Sequence, residues 1–150
     1  MLIGTAQTDI TPEPGCELSG FAARVQPSTG ILDRLFARAL YLEGGDRLQA
    51  VDRLAWIHCD LIGFDRGLAQ SIRAGVGERL GLDPSRVVLS ATHTHSGPCT
   101  MRLIEAGRFD EPYAGWLAPR LVELAADASQ EPEFCRMREI AEPVELAFNR

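Results

Sequence analysis

Segments of strand length and segments of helix length follow one another in the hydrophobic pattern of the chain. Residues 2–10 predict a short strand that ends at Thr11-Pro12. Residues 31–43 alternate imperfectly, which favours a strand, although their Leu, Ala and Arg content also suits a helix. The segments 53–62 and 87–92 are nearly continuous apolar runs, so they predict two strands buried on both faces.

Two further segments have the period of a helix. Residues 65–80 carry an apolar side chain at every fourth position, and Gly81 stands where a C-terminal cap belongs. Residues 112–128 predict a second helix, which kinks or begins at Pro119 because proline lacks the N–H of a helical hydrogen bond. Residues 134–148 predict a strand pair or one long strand. This order of elements predicts an α/β fold, in which two main helices pack on a layered, mixed β-sheet.

Composition and charge narrow the functional classes. The 150 residues suggest a single domain over 1–150, and 45% hydrophobic with 24% charged residues is ordinary globular usage. All 15 cationic residues are Arg, so a Schiff-base lysine, a P-loop lysine and a Ser-Lys dyad are excluded. A net charge of −6 argues against nucleic acid and anionic membranes as partners.

The cysteines and the first residues of the chain bear on its compartment. None of the four cysteines has C-x-x-C spacing, and the opening segment MLIGTAQTDITP lacks the basic and apolar regions of a signal peptide. No apolar run is long enough for a transmembrane segment. We therefore expect a reduced, cytoplasmic protein with free thiols.

Two of the three histidines identify the segment that is the strongest candidate for a functional site. His93 and His95 follow the apolar strand 87–92 and precede Ser96-Gly97-Pro98. Residues two apart on a strand project to the same face, so the imidazoles should lie side by side at the carboxyl end of a central strand. Ligands of open α/β sheets bind at such ends, and imidazole is a common zinc ligand. The alternative is a pair of hydrogen-bonded histidines without a metal.

The end of the preceding strand offers a second set of candidates. Asp60 either orients an imidazole or a substrate group, or caps the helix predicted at 65–80. His58 is expected to be a packed core histidine. Cys59 and Cys99 could act as soft metal ligands, and Cys99 could instead form a Cys-His nucleophile dyad. Ser96 lacks the G-x-S-x-G elbow of a serine hydrolase.

The segment from Val87 to Pro98, VVLSATHTHSGP, resembles the N-terminal catalytic region of the neutral/alkaline non-lysosomal ceramidase family. Shorter matches occur in the family's order along the chain, which extends the resemblance to all 150 residues. They are Asp9-Ile10-Thr11, Gly20-Phe21-Ala22 (the family's Gly-Tyr-Ala), Gly30-Ile31, Arg34-Leu35, Arg38-Ala39, Asp60-Leu61-Ile62-Gly63 and Asn149-Arg150.

The resemblance implies zinc-dependent hydrolysis of the amide of N-acyl sphingosine. It implies that His93 is a zinc ligand and that His95 holds substrate or shuttles a proton beside the scissile amide. Arg150 would reach the same pocket, and Asp60 remains a candidate for substrate binding. The chain would then be the N-terminal part of a larger, ceramidase-like α/β catalytic domain.

Two departures from the family pattern qualify this implication. Cys99-Thr100 stand where the family has glycines, which changes the floor of the pocket and bears on the substrate. The family's other ligands, a second His, a Glu and a Tyr, find no match, so a C-terminal half or a partner chain would have to supply them. The alternatives are a catalytically inactive α/β domain that binds a small ligand or a partner, and a cysteine hydrolase that uses Cys99.

Overall fold

A mixed β-sheet with helices on one side forms the framework of the computed structural model, which describes residues 1–44 and 52–144. A single turn of 3₁₀ helix, Pro84–Arg86, leads into the fourth strand. The strands and helices within the described residues are β1 (Leu2–Asp9), β2 (Phe36–Gly44), β3 (Asp52–Cys59), α1 (Arg66–Leu80), β4 (Val87–Ala91), α2 (Glu111–Gln130) and β5 (Glu133–Phe134).

The strand order across the sheet is β4-β3-β2-β1-β5. β1 pairs antiparallel with β2 and β5, and β2 pairs antiparallel with β3. β3 and β4 are parallel, and α1 provides the crossover that a parallel pair requires. The predicted fold class, a layered mixed sheet with two main helices, is therefore confirmed.

Only one face of the sheet is covered by the described helices. The fully buried Ile57 and Cys59 of β3 belong to a core that also contains Ile72 of α1 and the buried leucines of α2. The opposite face, here called the open face, leaves Trp56 44% exposed and Val88 37% exposed. The cross-strand register assigns the following residues to the open face: Thr5, Gln7, Arg38, Leu40, Trp56, His58, Val88 and Ser90.

The open face corrects two predictions. Segments 53–62 and 87–92 are not buried on both faces, because no described element packs on their outer side. His58 alternates with Ile57 and Cys59, so it lies half-buried on the open face rather than in the core. An apolar run shows that a strand is buried, but it does not show how many faces are covered.

The first helix ends where the sequence predicts, but its N-terminal cap is a different residue from the one expected. The side chain of Asp65 accepts a hydrogen bond from the amide of Gly67 and caps α1. Gly81 ends α1 in the left-handed conformation with φ 63°, which glycine adopts at no steric cost. The prediction of a helix over 65–80 is confirmed, and the alternative that Asp60 caps it is wrong.

Other element boundaries differ from the sequence predictions. β2 begins at Phe36, so the strand interpretation of 31–43 is correct for its second part and the helix alternative is wrong. α2 runs through Pro119 instead of beginning there. β5 contains only two residues, and 135–144 form neither the predicted long strand nor a strand pair; 145–148 lie outside the described residues. Along the described ranges, no helix has the length and apolar character needed to cross a membrane.

Candidate functional site

The histidine motif lies on a loop just beyond the carboxyl end of β4. The amide of Thr92 donates to the carbonyl of Cys59, and that of Thr94 donates to the carbonyl of Leu61. Between these two anchors His93 adopts a left-handed backbone with φ 62°, a conformation that is uncommon for residues with a side chain. Such backbone conformations cluster at functional sites.

The two imidazoles of the motif lie side by side. The ring centroids of His93 and His95 are 5.1 Å apart, and the ring planes meet at 66°. The expected pairing at a strand's carboxyl end is therefore confirmed, but its cause is the reversal of the backbone at His93 rather than strand alternation. The expectation of a central strand is wrong, because β4 is an edge strand of the described sheet.

His93 has the tautomer of a metal ligand. Its Nδ1 lies 2.8 Å from the carbonyl oxygen of Ile62, and a carbonyl only accepts hydrogen bonds. Nδ1 therefore carries the proton, and the lone pair of Nε2 is left for a ligand. Metal-binding histidines commonly donate their other ring N–H to a carbonyl in this way.

The donor set around His93 fits part of a zinc site. His93 is exposed, so its Nε2 is accessible to a ligand. In ranges 1–44 and 52–144, no group of three or more His, Cys, Asp or Glu side chains is arranged to hold a metal ion. A catalytic zinc site takes three protein ligands. The described residues thus fit one ligand position of such a site.

His95 is half-buried against the long loop over 13–30. Its ring packs edge-on against Phe21, with centroids 5.0 Å apart. Its carbonyl oxygen accepts a 2.6 Å hydrogen bond from Nη1 of Arg24, which also donates to the carbonyl of Ser19. No local signal distinguishes Arg24 from the other arginines in the sequence, because its contact with His95 spans 71 positions.

Asp60 lies at the end of β3 and binds the start of β2. Its Oδ2 accepts hydrogen bonds from the amide of Phe36 at 3.0 Å and from Nη1 of Arg38 at 3.3 Å. The carboxylate therefore holds two strand ends together, and its expected contact with substrate stays a prediction. Arg150 lies outside the described residues.

The third histidine takes part in a separate network on the open face. Nδ1 of His58 lies 2.9 Å from the hydroxyl of Ser90, and the indole of Trp56 donates to the same hydroxyl at 2.7 Å. His58 and Ser90 are register partners on the parallel strands β3 and β4. The structure therefore does not group His58 with the other two imidazoles.

The cysteines are free thiols, as expected, and the thiol nearest the motif is not activated. Burial raises the pKa of the Cys99 thiol, which donates to the carbonyl of Met101. Burial also raises the pKa of Cys59 to about 12. Because the thiolate is the reactive form, these environments contradict a Cys99 nucleophile.

A cavity of about 390 Å³ opens beside the histidine loop. Its walls combine apolar side chains with the polar loop residues Thr94 and Ser96. A mixed lining of this kind is typical of sites for small molecules with an apolar part. The apolar side chains in the wall include Pro12, Leu18, Ile31, Leu32 and Leu35.

Comparison with known proteins gives results for both the sequence and the fold. Residues 1–106 match the family model described as neutral/alkaline non-lysosomal ceramidase, N-terminal. The fold is similar to the crystal structure of neutral ceramidase from Pseudomonas aeruginosa, with a TM-score of 0.74 and 24% identity. It is also similar to a ceramidase complexed with C2, with a TM-score of 0.73 and 24% identity.

The two similar structures belong to much longer chains. Each match covers 88% of this chain but only 22% and 21% of the solved chains. The chain thus spans about a fifth of the length of the proteins that it resembles. At this level of identity, the likeness shows a shared fold.

Proposed function

The chain belongs to the neutral/alkaline non-lysosomal ceramidase family, and we propose from this that it carries part of the active site of a zinc-dependent amide hydrolase. The substrate class is a lipid amide of the N-acyl sphingosine type. The observation that carries the proposal is the hydrogen bond from His93 Nδ1 to the Ile62 carbonyl, because it leaves Nε2 free for a metal.

His93 and His95 have different roles in this proposal. His93 is a zinc ligand through Nε2, and a bound zinc ion would polarise the amide carbonyl and activate water near neutral pH. His95, whose ring lies beside that of His93, holds the substrate or moves a proton at a ring nitrogen. The adjoining cavity is large enough for part of an apolar acyl or sphingoid chain.

We infer that the remaining zinc ligands come from polypeptide outside the described residues. Two observations support this inference. The described ranges contain no three-donor cluster, and most of each similar solved chain lies outside the matched part. The open face, where Trp56 and Val88 are exposed and Trp56 lines a groove of about 700 Å³, is where that polypeptide would pack.

Zinc binding by matched histidine variants tests the proposal. Equilibrium dialysis of the 150-residue chain should give weak zinc binding that His93→Ala abolishes. His58→Ala is the control, because His58 lies on the open face and hydrogen-bonds Ser90 instead. Equal zinc content in the wild type and His93→Ala would remove His93 from the ligand set.

Activity measurements test whether the 150-residue chain lacks part of the active site. We expect the 150-residue chain alone not to hydrolyse a fluorogenic N-acyl amide, and a protein that includes the remaining ligands to do so in a chelator-sensitive way. Tight, stoichiometric zinc with chelator-sensitive turnover in the short chain would show that its site is complete.

The second candidate is a catalytically inactive domain that binds a small ligand or a partner. The cavity of about 390 Å³ beside the histidine loop favours it, because a site for a small molecule needs no metal. It predicts that neither zinc nor hydrolysis appears even when the longest natural form of the protein is assayed. Metal analysis with a chelator titration on that form therefore separates the two candidates.

A further inference from the structure

The imidazole of His95 is oriented by packing and not by hydrogen bonds. Within the described part of the chain, neither of its ring nitrogens has a hydrogen-bond partner, whereas His93 is anchored on Ile62. The ring of His95 is instead bounded by two aromatic neighbours. His93 lies 5.1 Å away on one side, and Phe21 lies 5.0 Å away with its plane at 79°.

Gly20 brings the backbone of the 13–30 loop into contact with His95. A Cβ atom at Gly20 would lie 2.4 Å from Cγ of His95, and the residue has φ 101°. Only glycine allows this approach in this conformation. The amide of Gly20 donates to Ala106, and that of Ser19 donates to Gly97, so the contact is fixed from both sides.

Arg24 connects the loop over 13–30 to the backbone of His95. Its Nη1 donates to the carbonyls of His95 and Ser19, and its guanidinium carbon lies 4.8 Å from the centroid of the Phe21 ring. The hydrogen bond is charge-assisted, and the stacking adds a cation–π contact. One side chain thus holds the backbone of His95 and the ring that packs on its imidazole.

We propose that Phe21 and Arg24 are positioning residues for His95. Arg24 fixes the Phe21 ring and the His95 backbone, and Phe21 then holds the imidazole in one orientation beside His93. The catalytic consequence of this positioning rests on the proposed function. The Phe21 side chain is an aromatic ring without a hydroxyl or other polar group. The contact with His95 is therefore one of ring packing.

The orientation of His95 can be measured without any activity. NMR of the 150-residue chain should show an NOE between Cδ2–H of His95 and the Hα atoms of Gly20. We expect Phe21→Leu and Arg24→Gln to abolish this NOE, and Phe21→Tyr to retain it because the ring remains. His58, on the open face, should keep its signals in all three variants, which controls for unfolding. An NOE that persists in both Phe21→Leu and Arg24→Gln would overturn the proposal.

The catalytic consequence is measured in the form of the protein that hydrolyses an N-acyl amide. Misplacement of a catalytic group by about 1 Å can cost about 100-fold in rate, so Phe21→Leu should lower kcat by that order and leave KM and zinc content nearly unchanged. Phe21→Tyr should keep kcat close to the wild-type value, because the aromatic ring remains. An unchanged kcat in Phe21→Leu would refute the positioning role in catalysis. If no form hydrolyses amides, the proposed function fails, and the NOE comparison still decides whether Phe21 and Arg24 orient His95.

Discussion

The Nδ1 atom of His93 donates to the carbonyl oxygen of Ile62 across 2.8 Å, and this bond joins the segments that follow β3 and β4. Two backbone bonds, from Thr92 to Cys59 and from Thr94 to Leu61, flank it on either side. The loop that carries the motif is therefore tied to the neighbouring strand end at three points. This support gives His93 both its tautomer and its unusual backbone.

The left-handed backbone at His93 predicts an uneven tolerance of substitution. His93→Asn should cost little stability, because asparagine enters the left-handed region readily. His93→Val should cost about 1–3 kcal/mol more, because a β-branched side chain is strained there. Urea unfolding midpoints of the two variants measure the difference. Equal midpoints would mean that the loop does not hold φ near 62° in solution.

Gly4 of β1 packs directly against the backbone of α2, and a methyl group there should be strongly destabilising. A Cβ atom at Gly4 would lie 1.8 Å from the carbonyl oxygen of Ala128, a backbone atom that cannot rotate away. We expect Gly4→Ala to lower the free energy of unfolding by about 3 kcal/mol or more.

Gly30→Ala is the matched control for this substitution. A Cβ atom at Gly30 meets nothing within 4 Å, so its effect should stay within about 0.5 kcal/mol. Similar unfolding midpoints for Gly4→Ala and Gly30→Ala would contradict the packing described here.

The parts of the fold that were predictable from sequence are those with local signals. Helix α1 carries its four-residue apolar repeat and its ending at Gly81 within its own segment, whereas its N-terminal cap, Asp65, was not predicted. The covering of the two faces of a strand was less predictable, because the sequence of β3 does not show what packs on Trp56 and His58. That information lies in elements far along the chain or outside the described residues. β5 shows the same limit: both of its residues pair with β1, and the described residues after it do not continue the strand predicted for 134–148.

The candidate site was predictable to a similar extent. The spacing of His93 and His95 predicted adjacent imidazoles, but the reversal at φ 62° has no signal in the residues themselves. Arg24 and Phe21 reach His95 only because the 13–30 loop folds back over the motif. Contacts over such sequence separations are set by tertiary structure.

The thiols should fall into two classes of reactivity. Cys59 and Cys99 are buried, and burial raises the pKa of both, to about 12 for Cys59. Cys16 and Cys135 are half-buried. Titration with Ellman's reagent at about pH 8 should therefore show two thiols that react in the native protein and two that react only after unfolding.

A single substitution tests which thiols belong to the class that reacts in the native protein. Cys16→Ser should remove one of the two native-state thiols and leave the slow pair unchanged. A third fast thiol in the wild type would mean that Cys59 or Cys99 is more accessible than the structure indicates.

The stability of the protein in acid should depend on Asp9. Hydrogen bonds from Thr11, followed by one from the Arg34 guanidinium, lower the pKa of the Asp9 carboxyl from 3.8 to about 2. Because the folded-state pKa lies below the unfolded value, the ionised carboxylate stabilises the fold above about pH 4, and this contribution is lost as pH falls towards 2. Asp9→Asn should therefore lower the urea midpoint at pH 6 and match the wild type near pH 2. Arg34→Gln raises the folded-state pKa of Asp9 and leaves its unfolded-state value unchanged, so its acid-induced loss of stability should begin near the same pH as in the wild type, be smaller, and be complete at a higher pH. A difference between Asp9→Asn and the wild type that stays constant from pH 6 to pH 2 would show that Asp9 acts through packing and not through its charge.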